Sequence, residues 1–155
     1  MTLLPIEKGT DNRILRAPCL PVKKIDKKLC KFLDDMKETM FAAEGVGLAA
    51  PQVSRNIRVV ICRFNHDTSH EIVVDMINPE IIDLSEEYQD GEEGCLSVPG
   101  QFDPLPRRKS LTVKFLDRKG REIVLKLTGF NARIVQHEVD HINSMLYVDR
   151  LGKIG

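Results

Sequence analysis

The 155-residue chain has no tryptophan and only two tyrosines. It also has no surplus of charge, because Lys plus Arg and Asp plus Glu number 23 each. A balanced chain exerts no net pull on DNA or on an anionic membrane, so neither is expected as a partner. No apolar run approaches the roughly 20 residues of a membrane-spanning helix. The opening residues Met1-Thr2-Leu3-Leu4-Pro5 lack the charged and apolar regions of a signal peptide, and a cytoplasmic location is expected. Four cysteines in a chain of this length do not make a disulfide framework. Cys19, Cys30 and Cys62 read as structural thiols. The charged and apolar fractions are those of an ordinary globular protein, and the length predicts a single domain over residues 1–155.

What is present is concentrated near the end of the chain, in Gln136-His137-Glu138-Val139-Asp140-His141. Two His at positions i and i+4 lie on one face of a helix, one turn apart, and can hold one metal ion. Glu138 stands beside the first of them, where it can hold a water acidified by that metal. This is the H-E-x-x-H pattern of a metal-dependent hydrolase. A catalytic site of this kind needs a third protein ligand. No Glu and no further His follow the pair. Asp149 is the remaining downstream candidate, but Tyr147-Val148-Asp149-Arg150-Leu151 reads as a chain end packing down. The ligand is therefore expected upstream, and Cys95 in Glu92-Glu93-Gly94-Cys95-Leu96-Ser97 is the best candidate, since a thiolate suits a borderline or soft divalent ion. Taken by itself, Cys95 reads more readily as a small buried thiol.

A second set, Cys62, His66 and His70, also has a spacing of four. That spacing aligns side chains only on a helix. Residues 57–62 and 71–74 are β-branched and read as strands, with the polar stretch 65–70 as a hairpin loop. This set is not expected to bind metal. A third segment, Glu44-Gly45-Val46-Gly47-Leu48-Ala49-Ala50-Pro51-Gln52, is small, nearly uncharged and interrupted by two glycines, as suits a backbone close to a ligand. Its last side chain is an amide that can donate to an oxyanion.

Together the segments Gly45-Val46-Gly47-Leu48-Ala49-Ala50-Pro51-Gln52, Glu93-Gly94-Cys95-Leu96-Ser97 and His137-Glu138-Val139-Asp140-His141 resemble the peptide deformylases. That family carries G-x-G-x-A-A-x-Q, E-G-C-L-S and H-E-x-D-H in this order. The resemblance continues through residues 129–133 and 146–150 and covers most of the chain. It implies removal of the N-formyl group from the terminal methionine of newly made polypeptides, met as nascent chains at the ribosome, with release of formate. It implies Cys95, His137 and His141 as metal ligands, Glu138 as the proton carrier, and the Gln52 amide and Leu96 N–H as oxyanion donors. Gly45 and Gly47 become an edge that pairs with an extended peptide. Val46, Glu93, Gly94, Leu96, Phe130, Ile134 and His137 line the substrate pocket. One divalent metal per chain is implied, Fe(II) natively, with Zn(II), Ni(II) or Co(II) possible. The thiolate is expected to make that metal less Lewis-acidic than in a His/His/Glu protease. A peptide-bond protease and a metal-stabilised binding domain are the rival readings.

Departures from the family pattern are placed at Phe102, where many members carry an Arg or aromatic that covers the substrate, and at Asn131, expected to alter the pocket rim. It stops soon after Leu151, so the C-terminal helix of some members is not expected. Asp140 is expected to orient a ligand or pair with Arg107 or Arg133. The cluster Arg107-Arg108-Lys109 reads as solvated or ion-paired.

The layout follows from periodicity. An extended N-terminal segment with Pro18 and Pro21 precedes a helix capped by Asp26. Leu29, Phe32, Leu33, Met36, Met40 and Phe41 form its apolar stripe, and Gly45 is expected to stop it. Strands are expected at 78–84, 110–116 and 121–127, with a hairpin turn at 117–120. Pro99 and Gly100 are expected to end the Cys95 segment. A last helix begins near Gly129. The fold class is α+β, with antiparallel sheets packed around the C-terminal metal helix.

Overall fold

The computed structural model describes residues 2–151. Helix α1 (Arg13–Arg16) is a single turn inside the segment expected to be wholly extended. Asn12 nucleates it by accepting from the N–H groups of Ile14 and Leu15. Helix α2 (Lys27–Ala42) starts where the pattern predicts, with Asp26 accepting from Leu29 N at 2.9 Å. Its end differs from the expectation. Glu44, at φ +57°, takes the left-handed position, and Gly45 N reaches back to Met40 O at 2.9 Å. Gly45 is needed for a different reason: a Cβ there would stand 2.9 Å from Leu96 Cδ1.

The strands are β1 (Gly47–Ala49), β2 (Val59–Phe64), β3 (Ile72–Leu84), β4 (Tyr88–Gln89), β5 (Glu92–Cys95), β6 (Val98–Pro104), β7 (Arg107–Arg108), β8 (Ser110–Leu116) and β9 (Glu122–Thr128). Five of them form an antiparallel sheet in the order β1-β2-β3-β8-β9. Two small pairs, β4 with β7 and β5 with β6, stand beside it. The two strands expected at 71–74 and 78–84 are one strand, β3. It is bulged where Asn78 adopts φ +53° and Pro79 offers no donor, and the pairing to β8 shifts register there. The Asn78 side chain closes the gap by bonding both Val22 N and Val22 O. Pro99 and Gly100 do not end the Cys95 segment. They lie within β6, which returns antiparallel to β5 after a turn at Leu96 and Ser97.

Helix α3 (Gly129–Ile142) packs on one face of the sheet. Ala132, Val135, Val139 and Ile142 meet Val60, Cys62, Met76, Val113 and Phe115. Helix α2 packs on the other face, where Leu29, Leu33, Met36 and Met40 meet Leu48, Val59, Ile61 and Ile77. Strand β2 thus supplies alternate residues to both layers, which is why it reads as a continuous apolar run. Phe41, assigned to the stripe, is 38% exposed instead, and the Arg63 guanidinium lies over its ring. The architecture is α+β, with antiparallel sheets around the C-terminal helix. Among the described residues no helix is long and apolar enough to cross a membrane.

Candidate active site

Helix α3 carries His137 and His141 on the face turned to the sheet and the β5–β6 hairpin. Their ring centroids lie 5.1 Å apart. Cys95 ends β5 at a register shift in its pairing with β6. Its Sγ lies 3.3 Å from His141 Nε2. One ligand atom from each of Cys95, His137 and His141 falls within 4.8 Å of the other two. Tetrahedral bonds of about 2.3 Å to sulfur and 2.0 Å to nitrogen put ligand atoms roughly 3.5 Å apart. The donor set therefore fits one divalent ion, with three protein ligands and a position left for substrate.

Second contacts prepare these ligands. Glu93 lies two residues before Cys95, so both side chains leave the same face of β5. Its carboxylate can only accept, so His137 Nδ1 is the donor at 2.8 Å. With Nδ1 engaged there, Nε2 is the ring nitrogen left to face the metal position. Arg107 grips the same carboxylate through Nε at 2.7 Å and Nη2 at 2.9 Å, and Arg133 Nη1 adds a bond of 2.7 Å. Burial pushes the Glu93 carboxyl up, but the bonds from Arg107 and His137 outweigh it and hold the group well below the usual carboxylate range. Burial drives His141 far below the ordinary imidazole value, which keeps it neutral and ready to ligate.

Asp140 faces away from the cleft. It accepts from Arg107 Nη1 at 2.7 Å and from Arg150 Nε and Nη2 at 2.7 and 2.8 Å. Of the two partners expected for it, Arg107 is the one found; Arg133 goes to Glu93. Of the basic cluster at 107–109, Arg107 and Lys109 are ion-paired, while Arg108 bonds Ser85 O; Arg107 is 3% exposed rather than on the surface. The Tyr147 ring stacks on His137 with centroids 6.0 Å apart.

A cleft of about 610 Å³ opens in front of this group. Gly45, Val46, Gly47, Gln52, Glu93, Gly94, Cys95, Leu96, Phe130, Ile134, His137 and Glu138 all line it. His141, 1% exposed, lies behind. Glu138 is buried, and its Oε1 has no hydrogen-bond partner among the described residues. Burial, only partly offset by His137, raises its pKa to about 7. Gly47 makes room for it: a Cβ there would stand 2.9 Å from Glu138 Cδ. Gln52 turns its amide toward the same place. Its Oε1 accepts from Ala49 N at 2.9 Å, while Nε2 donates to Ser97 Oγ at 3.1 Å and lies 3.7 Å from Cys95 Sγ.

Glu93 lines the cleft, as expected, while its carboxylate oxygens accept from His137, Arg107 and Arg133. One expectation about the cleft needs correction. Asn131 is not at the rim. It bonds Asn65 N and Asn65 Oδ1 and ties α3 to the β2–β3 hairpin. The rival set does not assemble: Cys62 is buried in the core, and His66 sits with Asp67 and Glu71 on an exposed turn. Asp149 pairs with Arg16 and accepts from Leu146 N, as a packed chain end would. Ser97 and Tyr147 are site residues to which sequence reasoning gave no role. Arg107 was expected beside Asp140, but its second pairing, with Glu93, was not.

A family profile described as polypeptide deformylase matches residues 4–155. The chain belongs to the peptide deformylase family. A peptide deformylase of Halothermothrix orenii is 45% identical over 100% of this chain and 97% of its own length. The crystal structure of the peptide deformylase from Thermotoga maritima superposes with a TM-score of 0.91 at 38% identity, covering 98% of this chain and 99% of that one. A Met-Ala-Ser-bound class I type b peptide deformylase from Acinetobacter baumannii gives 0.89 at 40% identity, over 97% and 99%. Peptide deformylases are metal-dependent hydrolases of protein biosynthesis that remove the N-formyl group from nascent polypeptides, and this chain is an enzyme of that class.

Proposed function

We propose that Cys95, His137 and His141 hold one divalent metal at the end of the cleft and that Glu138 carries the proton of the deformylation. One observation supports this above the others: a thiol and two imidazoles converge beside a buried carboxylate whose Oε1 has no partner among the described residues. Three protein ligands suit an open catalytic site, whereas a structural zinc site is closed by four. When bound, the metal supplies Lewis acidity toward water and the formyl oxygen. We take Fe(II) as the native ion, with Zn(II), Ni(II) or Co(II) able to replace it; the thiolate donor supports a borderline metal.

In this reading the substrate lies extended along the edge at Gly45, Val46 and Gly47, bonded through its main chain. Its methionine side chain enters the apolar end formed by Val46, Phe130 and Ile134, while Gly94 makes room for the Phe102 ring at the wall. The Gln52 amide and the Leu96 N–H donate to the oxygen that becomes negative as water attacks the formyl carbon. Each such donor contributes about 3 kcal/mol in a dry site. Glu138 takes the proton of the attacking water and returns it to the departing amine. The C–N bond breaks, giving formate and a free amino terminus. A pKa near 7 for Glu138 suits a group that must both take and return a proton. We further propose one domain over residues 1–155, acting in the cytoplasm on chains emerging from the ribosome; the nascent substrates of the family support that location.

The test is formate release from formyl-Met-Ala-Ser by anaerobically purified protein, with metal analysis of the same sample. Release with about one metal per chain supports the reading. A folded, metal-loaded protein that releases none overturns it.

A further inference from the structure

Tyr147 touches two parts of the site. Its ring, 1% exposed, stacks on the His137 ring. Its hydroxyl points the other way, into β6. There it donates to Asp103 Oδ2 at 2.9 Å and lies 3.2 Å from Gln101 O. Gln101 Nε2 completes a small closed network by donating to the same Asp103 oxygen at 2.8 Å.

The two residues bound to this hydroxyl flank Phe102. In a strand, neighbours on either side of a residue share the opposite face. Phe102 therefore projects away from Tyr147, over Gly94, where a Cβ would overlap its ring, and into the cleft. It is 66% exposed, so packing does little to fix it. Its position is set by the strand beneath it, which pairs with β5 on one side and is bonded to the Tyr147 hydroxyl on the other.

We infer that Tyr147 is a positioning residue for substrate length: through Asp103 and Gln101 it fixes the strand carrying Phe102, and so the wall met by peptide residues beyond the first. This rests on the cleft being the substrate site as read above. A formyl-methionine derivative with no further residues does not reach that wall. A longer peptide does, and its affinity depends on where Phe102 stands.

The experiment measures kcat and KM for formyl-Met-Ala-Ser and for formyl-methionine amide, in the metal-loaded enzyme and its variants. Tyr147→Phe keeps the ring and removes only the hydroxyl. It should raise KM for the tripeptide about fivefold relative to KM for the amide, the scale of one net hydrogen bond, with kcat falling less than KM rises. Asp103→Ala should give the same change, and the double variant no more than either alone. Asp103→Asn, which keeps an acceptor, should stay near the wild-type ratio.

An unchanged KM ratio in Tyr147→Phe overturns the inference. So do independent, multiplying effects of Tyr147→Phe and Asp103→Ala, or loss of metal with both substrates affected equally. If wild-type protein turns over neither substrate, the reading of the site itself fails, which is a separate result.

Discussion

His137 Nδ1 donates to Glu93 Oε1 at 2.8 Å, and the same carboxylate takes three further bonds from Arg107 and Arg133. The imidazole proposed to bind the metal is thereby anchored to a buried cluster of charges. Replacing Glu93 by Gln leaves two buried guanidinium groups short of their counter-charge, a change of about 3 kcal/mol in stability. It should also weaken metal retention about tenfold or more, as loss of such an outer contact does. Urea denaturation of the metal-free protein and competition with a chelator measure the two effects.

The same pair sets an acid limit. The Glu93 carboxyl is held well below its ordinary value of 4.5 in the folded chain. A depressed folded value means that its stabilisation is complete above the unfolded value and lost as pH falls toward the folded one. Wild-type stability should therefore decline below about pH 4.5, and Glu93→Gln should show a shallower decline. Urea midpoints taken between about pH 6 and pH 3 check the difference in slope; parallel curves would count against it.

Glu138→Ala should lower kcat by about 10²-fold or more, because a positioned proton carrier contributes on that scale. The metal should stay bound, since its three ligands are untouched. Formate release and metal content on one preparation decide this. Persisting activity would remove Glu138 from the mechanism.

Gly47→Ala should damage the same step indirectly. The added methyl would stand 2.9 Å from Glu138 Cδ and force the carboxylate aside. A displacement near 1 Å costs about 10²-fold in rate. Full metal occupancy with reduced kcat is the expected pattern, and a normal kcat would show that the carboxylate has room to spare.

Asp140→Asn should loosen the metal by a smaller factor than Glu93→Gln. Asp140 reaches His137 only through Arg107, which it shares with Glu93. Dialysis against chelator, followed by metal analysis, ranks the two variants; identical retention in Asp140→Asn and wild type would assign Asp140 to packing alone.

Legibility in the sequence followed the range of the interaction. The His137, Glu138 and His141 group was readable because one helical turn aligns it. Asp26 as a cap and the hairpin turn at 117–120 were readable because they are local. Cys95 was readable only through the company of two other segments. The partners of Glu93 were not: Arg107 and Arg133 lie 14 and 40 residues away, and only the meeting of β5, β7 and α3 brings them together. The continuity of β3 through Asn78 and Pro79 was hidden for a similar reason, because Val22, 56 residues earlier, completes the bulge. Asn131 looked like a pocket residue by position, yet its partner is Asn65, on a distant hairpin.

The five-stranded sheet ends on one side at β1, and residues 45–47 at that border face the cleft. An unpaired border strand is a template on which foreign chain can add, and long flat ones seed aggregates. Here the template is no longer than a tripeptide, and the rest of β1 is sunk between two helices. A passing chain end can dock and leave. On this side of the sheet a second copy of the protein finds too little border to grow a shared sheet.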